Sequence, residues 1–301
     1  SPPPPPRNLS IAGTAGYKKS DTFGFQGTFD WLKSNSDVLA QISNQADVLV
    51  EKADEKSGVT VNAESENSFV NIAGGVVRGS MVGIGASGAL NDISQNTRAV
   101  IGSLNQNDNS AVTGKIVPDG NILVNAQNSS NLYAVSAAGA LITQDKGQDN
   151  GSTNFGLGLS GTASYNTLES VSEAYVNNAV IKGVSGASRD EEKRPALEVA
   201  SNNDNDVLTV GGGVSFVKQS GTNVGIAGAV GINKLDGSRS VAFVNNAKVD
   251  NIGDLKIHAA STGEIIAAAE SASGAFGKTG ITIAGAVSIN EIGNRTAAYV
   301  R

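Results

Sequence analysis

The chain has no cysteine, so neither disulfides nor thiolate metal centres can hold it together. Absence of thiols is compatible with export across a bacterial envelope in the unfolded state. A single histidine, His258, rules out a histidine-rich metal site, and no strained serine turn is visible that would complete a Ser-His-Asp triad. Aromatic residues make up only 5% of the chain and charged residues 17%, so the core must be built from many small side chains, which favours closely stacked sheets. No apolar run approaches the roughly 18 residues of a membrane helix. The N-terminus lacks a charged-then-apolar signal pattern, so any signal or anchor is expected outside this segment. The 22 Lys and Arg against 28 Asp and Glu are scattered along the chain, and no nucleic-acid footprint is expected.

What is abundant is glycine, 37 of 301 residues, and it falls in repeated words. Val224 to Leu235 reads VGIAGAVGINKL and Ile281 to Ile292 reads ITIAGAVSINEI, with weaker copies at Val82 to Ile93 and Leu157 to Leu168. In each copy an Asn stands two residues before a Leu or Ile: Asn91, Asn166, Asn233 and Asn290. A second word follows eight or nine residues later, at Ala99-Val100-Ile101, Ala174-Tyr175-Val176, Ala242-Phe243-Val244 and Ala298-Tyr299-Val300. A degenerate first copy has Phe25, Gly27, Phe29 and Trp31 in alternation, Leu32 in place of the Asn, and Ala40 in the second word. The alanines at 40, 99, 174, 242 and 298 are spaced by 59, 75, 68 and 56 residues.

Alternation with a period of two, with no competing helical period, predicts strands throughout. Each unit reads as four: in the fourth unit these are Leu208 to Phe216, Val224 to Asn233, Val241 to Val249 and Leu255 to Ala259. The first two carry β-branched and aliphatic residues on one face and Gly, Ala, Ser or Thr on the other, with charge on neither. The bulky face is expected to meet the core; the small face either packs against a second backbone layer or forms a flat binding surface, and the packing role is preferred. Length varies at two places, between the first two strands (a polar insert from Thr143 to Thr153) and after the third (Gly183 to Pro195), as loops projecting from a stacked array would. The fold class expected is therefore all-β, an elongated repeat β-solenoid. The alternative is stacked antiparallel hairpins forming a sandwich or barrel. Residues 1–8, opening SPPPPP, read as a stiff spacer or cloning remnant, and 9–301 as one array with units near 9–57, 58–114, 115–195, 196–253 and 254–301. Because Arg301 falls inside a strand, the natural polypeptide is expected to continue.

The phrases IAGAVSINEIGNRTAAYV and SVAFVNNAKV resemble the recurring units of large repeat-rich exoproteins of Gram-negative bacteria, the filamentous haemagglutinin-like and leukotoxin-type filamentous adhesins. The resemblance is sharpest from about residue 196 onward, and Leu32 departs from it. It implies a right-handed parallel β-helix in a secreted or surface-anchored protein, serving as stalk or adhesive fibre. The partners it implies are a host-cell surface, a polysaccharide or biofilm matrix, and the adjacent repeats.

No residue is assigned as catalytic, cofactor-binding or metal-binding. The aligned Asn91, Asn166, Asn233 and Asn290 are expected to form a structural amide ladder at a turn of successive coils, and Asn177-Asn178 and Asn245-Asn246 likewise. His258 should face solvent beside Lys256, with Leu255 and Ile257 inward. The acidic groups Asp204 with Asp206, and Asp190 with Glu191 and Glu192, match no calcium loop and are expected to be solvated. A β-helical polysaccharide-active enzyme and the stalk of a secreted toxin are the competing functions.

Overall fold

The computed structural model describes residues 7–17, 23–50, 58–143, 155–184 and 194–301. Among them there is no helix. The chain winds through five coils: β1 (Arg7–Tyr17), β2 (Phe23–Ile42) and β3 (Val48–Leu49); β4 (Val59–Gly79), β5 (Val82–Gly102) and β6 (Ile116–Val117); β7 (Ile122–Thr143), β8 (Phe155–Asn177) and β9 (Val180–Lys182); β10 (Ala196–Lys218), β11 (Thr222–Asn245) and β12 (Lys248–Asp250); then β13 (Asp254–Phe276) and β14 (Thr279–Val300). Like strands stack on like, giving a front sheet β1-β4-β7-β10-β13, a back sheet β2-β5-β8-β11-β14 and a short side sheet β3-β6-β9-β12. Every pairing is parallel. The molecule is a parallel β-solenoid, and the antiparallel-hairpin alternative is excluded. Of the spacer read at 1–8, residues 1–6 lie outside the described residues, while Arg7 and Asn8 open β1.

The alanine spacing is one coil. Ala40, Ala99, Ala174, Ala242 and Ala298 form a single column across the back sheet. The four-strand unit is corrected to two long strands and one short: Leu208 to Phe216 is the distal half of β10, and Val224 to Asn233 with Val241 onward are two halves of β11. Their junction is a bulge between Leu235 and Ser238, with Gly237 at φ 77°. The segment Leu255 to Ala259 is the start of β13. With 24 residues, β11 has a contour of about 80 Å, whereas five coils stack to roughly 24 Å. In these five coils the long dimension therefore runs along the strands.

Turns of two or three residues join front to back: Ser80 and Met81 between β4 and β5, and Gln219 to Gly221 between β10 and β11. Such short links hold the sheets close at one end, the tip. At the other end the side sheet separates them, so the cross-section is a wedge. The interior follows that taper. At the wide end Leu197, Val199, Val124, Ile122, Val176, Val244 and Ile181 fill an aliphatic core, each fully buried side chain contributing about 1.5–3 kcal/mol. A polar layer comes next, where Ser201 bonds Ser172 and Ser240 (3.0 and 2.8 Å) and Asn128 donates to Asn203 (3.1 Å). Then comes an apolar layer of Phe69, Ile93, Leu132, Leu168, Val207 and Leu235.

Nearest the tip most of the groups between the sheets are small, and the larger Val77, Ile142 and Val217 are buried against Gly83, Gly156 and Gly158. Ala227, Ala229, Ala138 and Ser215 are buried there, and a Cβ at Gly213 would meet the Gly228 carbonyl oxygen at 2.5 Å. The expectation that the bulky face meets a core is thus wrong for this half. Val210, Val214, Phe216 and Val230 point outward and are exposed, while the Gly, Ala, Ser and Thr face forms the sheet-to-sheet contact. The short turn is the physical reason, because it fixes a gap that admits a bulky β-branched side chain only where glycine faces it.

Candidate interaction surface

Stacking in register turns the alternation of each strand into columns across the coils. On the outer back face the columns, from the tip inward, are headed in β11 by Val224, Ile226, Gly228, Val230 and Ile232. Across the other coils these positions hold Phe23, Val82, Leu157 and Ile281; Phe25, Ile84, Leu159 and Ile283; Gly or Ala; Phe29, Gly88, Ala163 and Val287; and Trp31, Leu90, Tyr165 and Ile289. No charged residue occurs in these five columns. Ile283 is 57% exposed and Phe29 67%.

The next column inward is different in kind: Lys33, Asp92, Thr167, Lys234 and Glu291. Lys33 pairs with Asp92 at 3.2 Å and Lys234 with Glu291 at 3.4 Å. Charge thus returns abruptly along one straight line.

The front face has the same plan. Its apolar columns run from Leu9-Val70-Tyr133-Leu208-Ile266 to the tip, where Leu141 and Phe216 align, and the polar line beside them is Arg7-Ser68-Asn131-Asp206-Glu264. Arg78, at the tip, and Glu270, in the last coil, are the charged members of this field among the described residues. The hydroxyl of Thr209 donates to Asn233 across the slab at 2.6 Å, so Leu208 and Lys234, the neighbours of these two residues, sit at the same level. The front polar line, at Asp206, therefore lies two residues, about 7 Å, further from the tip than the back line.

The sequence-predicted residues fall inside this frame. Asn91 donates to Asn166 (2.5 Å), Asn166 to Asn233 (2.7 Å) and Asn233 to Asn290 (2.8 Å), and Asn71 on the front sheet donates to Asn91 (2.7 Å). The ladder is real but stands in mid-strand between the sheets, correcting its placement at a turn. Asn91, Asn166 and Asn233 are buried, so they offer no amide to a ligand. The other pairs are at a turn: Asn178 and Asn246 have φ 49° and 45°. Their side chains, with those of Asn177 and Asn245, hold the segment 103–110 across the outside of the back sheet, Asn177 donating to the carbonyls of Ser103 and Asn105 (2.9 and 2.8 Å), Asn245 to that of Gln106 (3.0 Å) and Asn178 to that of Ser110 (3.1 Å). Hydrogen bonds from Ser103 and Ser110 pull Asp108 in that segment down to about 2.

His258 faces outward, 3.8 Å from Glu198. Asp206 lies on the polar line, and its pKa is raised by partial burial and by Asp204 and Glu264 beside it. No group of three His, Cys, Asp or Glu that could hold a metal occurs among the described residues. Asp190, Glu191 and Glu192 lie outside them, as do nearly all of the Thr143 to Thr153 insert and most of Gly183 to Pro195. The apolar faces themselves were missed as an outer surface. Their residues were visible as alternation, but polarity does not say which of two uncharged faces points inward.

Comparison with protein-family models, with curated proteins and with solved structures returned no match.

Proposed function

We propose that the chain is a structural and adhesive segment of a large secreted or surface-exposed bacterial exoprotein, attaching to host cells or biofilm matrix through repeated display of one surface. The observation that carries this reading is the pair of outer apolar fields, the back one free of charge across five coils and the front one broken among the described residues by Arg78 and Glu270, each ending on a straight polar line. A soluble domain seldom exposes contiguous apolar area beyond a few hundred Å² unless something binds there. The resemblance to filamentous adhesin repeats agrees with it. The enzymatic alternative gains nothing from Asp204 and Asp206, which lie two residues apart on an open outer face, with Glu264 beside Asp206 on the next coil of that same face. The test is retention of chain-coated beads on epithelial cells and on biofilm matrix, with soluble chain as competitor. The reading predicts saturable, competable retention on at least one surface; equal retention of beads coated with an unrelated β-solenoid would contradict it.

A further inference from the structure

We propose that the tip half of the solenoid is a blade that enters a lipid bilayer edge-on, with the two polar lines at the headgroups. The proposal rests on the adhesive reading and names the surface bound. Four features of the molecule lead to it. First, both outer faces carry five apolar columns, offset by two residues and interrupted among the described residues by Glu270 in the last coil and Arg78 at the tip; hydrocarbon surrounding the blade would require both faces, whereas a single protein partner needs only one. Second, the depth fits: from Leu208 to Phe216 on the front and from Val224 to Ile232 on the back is about 26 Å, close to the ~30 Å of a bilayer hydrocarbon core.

Third, the column next to each polar line carries the amphipathic aromatics, Trp31 and Tyr165 on the back and Tyr133 on the front. Trp and Tyr prefer this depth because one end of the ring is apolar and the other wet. Fourth, exposed Lys218 and Lys278 stand at the tip, where an inserted blade would meet the far headgroups. Backbone groups within the stack are paired strand to strand; the outer edges of the terminal coils are not, and they set the cost of inserting a short array. A polysaccharide ligand is disfavoured because the columns offer almost no hydrogen-bonding groups. A second copy on each face would stack without closure.

The test is flotation of the whole chain with phosphatidylcholine vesicles, with and without anionic lipid, alongside Val214→Asp on the front face and Val230→Asp on the back. Both positions are exposed, and the far-ultraviolet dichroism and Tm of each variant report retained folding. The chain should float, and each substitution should lower the floated fraction at least fivefold. Trp31, the only tryptophan, should be quenched more by lipid brominated near the headgroup than by lipid brominated near the chain end. In a Trp31→Phe, Phe29→Trp double variant that order should reverse. No flotation, sensitivity on one face alone, or association without vesicles that both substitutions abolish would each overturn the proposal, the last assigning the faces to a second copy. Cell retention persisting without vesicle binding would overturn the lipid proposal alone; loss of both would also remove the adhesive reading.

Discussion

Asn166 is buried between the sheets and bonds in three directions, accepting from Asn91 and donating to Asn233 and to Thr209. The ladder it belongs to satisfies polar groups in a layer no water reaches, and it fixes the register of each coil against the next. Replacing Asn166 by Leu orphans the Asn91 amide, while Asn233 and Thr209 each lose one bond and keep the one between them; the change should cost about 1–3 kcal/mol for the unsatisfied amide, read from the shift in urea midpoint. Ser164 is the reverse case, buried with its hydroxyl unpartnered; Ser164→Ala should be neutral or stabilising in the same titration. At Gly213 the neighbouring backbone allows no side chain, so Gly213→Val should destabilise by several kcal/mol, in the range of overpacking at a site that cannot move. Asp206 has its pKa raised by burial, Asp204 and Glu264, so its ionisation opposes folding. Stability should rise as pH falls from neutrality through that raised pKa, and Asp206→Asn should remove this dependence while raising Tm slightly at neutral pH.

At the scale of elements, the back strands show what was legible in the sequence. Period-two alternation, the repeated Asn and the Ala column gave strand type, coil length and register, because each is a local property that stacking preserves. The two faces of β11 were not assigned correctly, because Val and Ile against Gly and Ala differ in size rather than charge. The choice between them depends on the gap, which is set by a three-residue turn and by the side sheet at the far end. The fusion of two predicted strands into one was hidden for a related reason: the residues between Leu235 and Ser238 look like a turn and act as a bulge. The Asn at the following corner is a sharper signal, since φ near +45° suits Asn or Gly. Asn246→Gly should keep the turn but loosen the 103–110 segment that the side chain helps hold, whereas Asn246→Val should lose both; hydrogen exchange of the amides from Ser103 to Ser110 separates the two outcomes.

For the whole molecule, the repeat makes coils exchangeable. Removing residues 196–253 would place β13 against β7 and β14 against β8, aligning Leu255 with Ile122 and Asn290 with Asn166 through the columns they already share. The shortened chain should fold with the same circular dichroism per residue and a lower Tm, as expected when stability sums over neighbouring coils. Both functional proposals depend on one claim, that the bulky faces of the tip half are outside and the small faces inside. The absence of natural cysteine allows that claim to be measured directly by placing single cysteines at adjacent positions of β10 and β11 and following their reaction with a water-soluble thiol reagent under native conditions. Cysteines at 214 and 230 should react nearly as fast as in the unfolded chain, and those at 215 and 229 at least a hundredfold more slowly; the opposite order would contradict the account.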